Sequence, residues 1–137
     1  MTHFINYNKK VNSKDLMTSH SFISIYLDGR YQSIFCLDGH PEVLAKTLRN
    51  HYGTKESTFS LIQHGDLIKL GKSIKNSKFY DNDYGFNRTF DNLDEMIQCY
   101  RECYCQYGYI FIGDEWVSYN IHENGFSPAN LELLTNA

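Results

Sequence analysis

The stretch Asp38-Gly39-His40-Pro41-Glu42 puts two carboxylates and an imidazole within five residues. An imidazole titrates near neutral pH, so His40 could move a proton while Asp38 and Glu42 orient it or hold a cation. On that chemistry the chain is a small hydrolase or a binder of a nucleotide-type ligand. It would need a concave pocket where these groups meet other polar side chains. The same residues also have an architectural explanation. Asp-Gly makes a turn, proline is tolerated in the first helical turn, and a glutamate there complements the positive end of the helix.

The cysteines offer a second chemistry. Cys99, Cys103 and Cys105 follow a CxxxCxC pattern that could supply thiolates to zinc, with Cys36 distant in sequence. The paired CxxC spacing of structural zinc sites is missing, and nothing marks the chain for an oxidising compartment. Reduced, buried thiols are the simpler expectation, and no cofactor is called for. His3, His20, His51, His64 and His122 are isolated in sequence. No HExxH, GxSxG, GxxxxGK[ST] or GxGxxG motif occurs, which argues against ordinary zinc peptidases, serine hydrolases, P-loop ATPases and dinucleotide enzymes.

Lys69, Lys72, Lys75 and Lys78 recur at every third position. On a helix they would form a drifting basic stripe, with Phe79 and Tyr80 nearby for stacking, which suits nucleic acid or an acidic partner. Gly71 and the Asn/Ser-rich surroundings weaken a continuous helix there. Thirteen Lys plus Arg against sixteen Asp plus Glu give a net charge of −3. A general nucleic-acid binder would carry a basic excess. Eleven Tyr and nine Phe point instead to aromatic contacts with another protein. The candidate anchors are Phe79, Tyr80, Tyr84, Phe86, Tyr104, Tyr107 and Trp116, although the same rings could complete a core.

The elements that must position these groups follow from periodicity. In SFISIYLD, Ile23, Ile25 and Leu27 share one strand face, with Phe22, Ser24 and Tyr26 on the other. Asp28-Gly29 is a hairpin turn signal leading into RYQSIFCL. A helix follows Pro41, with Leu44, Leu48 and Tyr52 on one face and Gly53 as its stop. A shorter helix is expected from about Lys55 to Gln63. Residues 71–90 are polar and turn-rich, a surface excursion with room for a short strand near Phe86–Phe90. Asn92 and Glu95 cap the best-defined helix, whose stripe is Leu93, Met96, Ile97, Tyr100 and Cys103. Its simplest packing partner is the Ile23/Ile25/Leu27 face. GYIFI and EWVSYNI form a second hairpin about Gly113-Asp114. Ser127-Pro128 starts a short terminal helix carrying Leu131 and Leu134.

These elements predict one α+β domain over 1–137, with a polar arm at 1–20. Its sheet would be antiparallel, built from two hairpins, packed against two principal helices and covered on one side. The N-terminus lacks the features of a signal or transit peptide, and no run nears the roughly 20 apolar residues that span a membrane. Cytoplasm is the expected compartment.

The segment DGRYQSIFCLDGHPEVLAKTLRNHY, Asp28 to Tyr52, resembles small bacteriophage and prophage proteins in which a strand runs through an Asp-Gly-aromatic-Pro turn into a leucine-faced helix. Asp38, Gly39, Pro41, Leu44, Leu48, His51 and Tyr52 fit that pattern, and His40 departs from the aromatic position. YGYIFIGDEWVSYN is similar to the terminal hairpin of such proteins. The resemblance implies a phage or prophage accessory protein that binds and modulates a host protein, such as a defence or regulatory factor, in the host cytoplasm. It implies no catalytic role. Binding through the aromatic anchors is therefore the leading expectation, ahead of catalysis by Asp38, His40 and Glu42 and of nucleic-acid binding by Lys69–Lys78.

Overall fold

The computed structural model describes residues 19–84, 86–123 and 125–126, without the side chains of 82–84 and 126. Most of the expected polar arm, the Tyr84 side chain and the expected helix after Ser127 lie outside these described residues. The described elements are β1 (His20–Leu27), β2 (Arg30–Asp38), α1 (Pro41–His51), α2 (Lys55–Gln63), β3 (Gly65–Lys69), β4 (Lys78–Tyr84), β5 (Arg88–Phe90), α3 (Leu93–Arg101), β6 (Cys105–Ile112), β7 (Glu115–Asn120) and β8 (Gly125–Phe126). The fold is α+β.

The strands form one sheet in the order β4-β3-β2-β1-β6-β7-β8, with β5 pairing β2 off that path. The sheet is mixed, which corrects the expectation of a purely antiparallel one. β1 pairs antiparallel with β2 across Asp28-Gly29, and β6 pairs antiparallel with β7. The pairs β1–β6 and β2–β3 are parallel. Parallel neighbours need a crossover, and α1 and α2 supply the one between β2 and β3.

Both faces of the sheet are covered, a second correction. Ile23, Ile25, Ile34, Cys36, Tyr109 and Phe111 pack with Leu44, Ala45 and Leu48 of α1 and Leu61 and Ile62 of α2. Their alternates Phe22, Phe35 and Ile110 pack with Met96, Ile97 and Tyr100 of α3 on the opposite face. α3 therefore sits away from Ile23 and Ile25, not on them. The physical reason is visible in β1: Phe22 and Ile23 are both fully buried. A strand apolar on both sides needs cover on both sides.

Gly108 shows how tightly the α3 face closes. A β-carbon there would meet the Phe22 ring at 1.9 Å, and that ring stacks on Tyr100 with centroids 4.8 Å apart. Asn92 caps α3 by accepting from the Glu95 backbone N–H at 2.9 Å. The segment 71–90 is not a loose excursion. Ile74 packs against the α1/α2-side cluster, and the residues after it supply β4 and β5.

Candidate functional site

The Asp38–Glu42 turn joins β2 to α1, and its geometry is set by backbone. Gly39 N–H donates to Ser19 O at 2.7 Å, and the Ser21 hydroxyl donates to Gly39 O at 2.8 Å. A β-carbon on Gly39 would come within 2.6 Å of the Ser21 side chain, so the close crossing of the two segments requires glycine. Pro41 opens α1, and Glu42 lies in its first turn. His40 precedes the helix without capping it through its side chain. Asp38, His40 and Glu42 are all exposed, and only Glu42 borders the shallow depression described below. That depression therefore gathers only one of the three groups expected to act together.

The four cysteines are free and buried. Cys99 and Cys103 lie one turn apart, and the Cys103 thiol donates to Cys99 O at 3.3 Å. The Cys103 side chain also hydrogen-bonds Cys99, which together with the Arg88 charge holds the Cys99 thiol below its usual range against the effect of burial. Burial pushes Cys36, Cys103 and Cys105 upward. Among the described residues no group of three His, Cys, Asp or Glu is arranged to hold a metal ion. The CxxxCxC thiols, Cys99, Cys103 and Cys105, are core residues here and do not form the zinc alternative.

A different charged constellation, absent from the motif reading, lies on the outer edge of β2. That edge is divided: Tyr31 to Ser33 pair with β5, whereas Cys36 and Asp38 pair with β3. Asp66 of β3 fills the break. It is fully buried and accepts from Phe35 N–H at 2.8 Å. Both its oxygens accept from Arg88 of β5, at 2.6 and 2.5 Å. Arg88 lies over the Phe86 ring at 4.8 Å, and next to this pair the Ser33 and Tyr100 hydroxyls share a hydrogen bond of 2.7 Å. The bidentate ion pair substitutes for ladder hydrogen bonds where one neighbouring strand gives way to the next. Through these bonds Asp66 and Arg88 tie β3 and β5 to the same edge of β2.

The lysines come together without a helix. Lys69 ends β3, Lys78 begins β4, and the two are register partners, with Lys72 and Lys75 in the connecting loop. Asp38 lies beside Lys69 across the β2–β3 pair. All four lysines are exposed, and no ion pair among the described residues involves them. Along the outward side of α1 runs a shallow, open depression of ≈ 440 Å³. Glu42, Lys46 and Asn50 line it on one row and Val43, Thr47 and His51 on the next, with Lys72 contributed by the loop.

The aromatic anchors do not form one patch. Trp116 is only 7% exposed, packs against Phe111, and donates to Tyr52 O at 2.9 Å. It is a core residue, and its assignment to a partner surface is corrected. Phe79 and Tyr107 pack against the α1/α2-side cluster, and Tyr80 packs against the α3-side cluster. Phe86 is half-buried under Arg88. Tyr104, 67% exposed in the turn after α3, is the one ring largely open to solvent among the anchors whose side chains are described.

Comparison with known proteins gives no matching family model, no matching curated protein and no matching solved structure. Among the described residues no helix is long and apolar enough to cross a membrane.

Proposed function

We propose that this chain is a non-catalytic binding protein, a phage or prophage accessory protein that modulates a host protein by occupying part of its surface. The observation that carries this reading is the separation of chemistry from exposure. The buried charges of Asp66 and Arg88 are committed to each other, while the exposed groups Asp38 and His40 stand outside the depression along α1. What the surface does offer is a set of solvent-facing cations: Lys46 on α1, and Lys69, Lys72, Lys75 and Lys78 on the β3–β4 hairpin. Like charges directly opposite on neighbouring strands are unfavourable, so the Lys69–Lys78 pair gains from an anionic partner.

The test is affinity capture of the full chain from a bacterial host lysate, with nuclease-treated and untreated arms and identification by mass spectrometry. The expected result is a protein retained in both arms and lost when Lys69, Lys72, Lys75 and Lys78 are changed to glutamate. Recovery of nucleic acid alone would replace this reading with nucleic-acid binding. Hydrolytic turnover that disappears in His40→Ala would replace it with the Asp38/His40/Glu42 enzyme.

A further inference from the structure

Resting on the binding reading, we infer that the depression along α1 is the docking surface and that its occupant is an acidic segment of another protein, with carboxylates held between Lys46 and Lys72. Three features of the surface lead to this partner chemistry.

The first is pre-organisation. Lys72 would be a floppy cation on a free loop, but its loop is tied down at several points. Tyr52 donates its hydroxyl to Gly71 O at 2.9 Å, and Gly71 N–H donates to the Ser77 hydroxyl at 2.9 Å. Ser77 in turn donates to Ser73 O at 2.8 Å, while Leu70 is buried and Ile74 half-buried on the same core. The chain on both sides of Lys72 is thus fixed against the end of α1, so less order must be imposed when a partner binds.

The second is the mixture of lining groups. Val43 is 61% exposed and is the one wholly apolar residue in an otherwise polar lining. An apolar residue one turn from the Lys46 cation suits a peptide that alternates carboxylates with an aliphatic side chain. A bare phosphate backbone has nothing to place on it.

The third separates a protein from a nucleic acid. The lining contains no Phe, Tyr or Trp, the large rings that make stacking platforms in single-stranded binders, and its one ring is the smaller imidazole of His51. Glu42 stands at one end of the same row, and the whole chain carries −3. A uniform polyanion would meet that carboxylate at every register, whereas a peptide with spaced acids can avoid it.

The experiment uses the full chain and fluorescence anisotropy with three labelled probes: a short Glu-rich peptide with interspersed Leu, a single-stranded oligonucleotide and a duplex. At near-physiological salt the peptide is expected to bind more tightly than either nucleic acid. The double variant Lys46→Ala/Lys72→Ala should weaken the peptide by about tenfold. Val43→Asn should weaken it several-fold, and Glu42→Gln should strengthen it. All these positions are on the surface, so unchanged circular dichroism and thermal midpoint will show that each variant folds. The proposal is overturned if either oligonucleotide binds more tightly than the peptide, or if the double variant leaves peptide affinity unchanged. Lysate capture distinguishes the two levels. A partner retained equally by wild type and Lys46→Ala/Lys72→Ala removes this docking surface but leaves the binding function. Retention of no protein by wild type removes both.

Discussion

Asp38 and Asp66 lie on neighbouring parallel strands of one sheet, yet their surroundings differ in every respect that matters to an ionised carboxylate. Asp38 is exposed at the end of β2, beside an exposed lysine with which it makes no ion pair. Water solvates it, and the fold asks nothing of its charge. Asp66 has no solvent contact and accepts hydrogen bonds from the Phe35 backbone and from both Arg88 amino groups. A carboxylate taken out of water is tolerable only with that degree of pairing. The comparison teaches that a conspicuous cluster of polar residues can lie open to solvent while an inconspicuous pair far apart in sequence carries structural weight.

Breaking the buried pair should have the largest effect. Asp66→Asn leaves Arg88 buried opposite a neutral group, and the expected loss is about 3–5 kcal/mol of stability by chemical denaturation. A second experiment sharpens the interpretation. Replacing both partners together, as Asp66→Asn/Arg88→Met, should cost less than the sum of the single changes, because no charge is then left unpaired. An additive result would show that the two residues do not act as a unit.

In the turn, backbone geometry should matter more than chemistry. Gly39→Ala forces a β-carbon against Ser21 and is expected to cost about 1–3 kcal/mol, read as a lowered denaturation midpoint. The smallest effect belongs to the groups with the most chemical appearance. Asp38→Asn and His40→Ala should each change stability by less than about 0.5 kcal/mol and leave partner capture intact. If His40→Ala proved as damaging as Gly39→Ala, the turn would have a side-chain role that its geometry does not express.

Features that depend on neighbours in sequence were legible before the structure. Asn92 and Glu95 predict the α3 cap that is found, and Pro41 marks the start of α1. The stretch Lys55–Gln63 is α2, entered through a capping box of Thr54 and Ser57. Features that depend on distant contacts were not. Asp66 and Arg88 are 22 residues apart, and no local spacing or motif links them. Their pairing follows only once β3 and β5 meet on the same edge of β2. The two-sided cover of the sheet did leave a trace: Phe22 beside Ile23, and the unbroken apolar run Tyr109-Ile110-Phe111, lack the polar alternation of a strand with one wet face. The lysine spacing imitates a helix, which Gly71 already weakened, and the structure instead carries the four lysines on a hairpin whose two ends, Lys69 and Lys78, are register partners. Trp116 was misplaced because an aromatic residue looks the same as an anchor and as a core ring until its burial is known.

The parallel pairing of β1 with β6 has a consequence in time. His20 and Cys105 are partners at its start, so the central strand near the beginning of the chain must wait for one close to the end. As the chain emerges from a ribosome, β1 can pair with β2, but its other edge has no mate until residues past 105 are available. Such a long-range closure is slow, and an open apolar strand edge invites pairing with other chains meanwhile. Shortening the chain before Cys105 should therefore give an insoluble fragment, whereas restoring the residues through Phe126 supplies the missing neighbour.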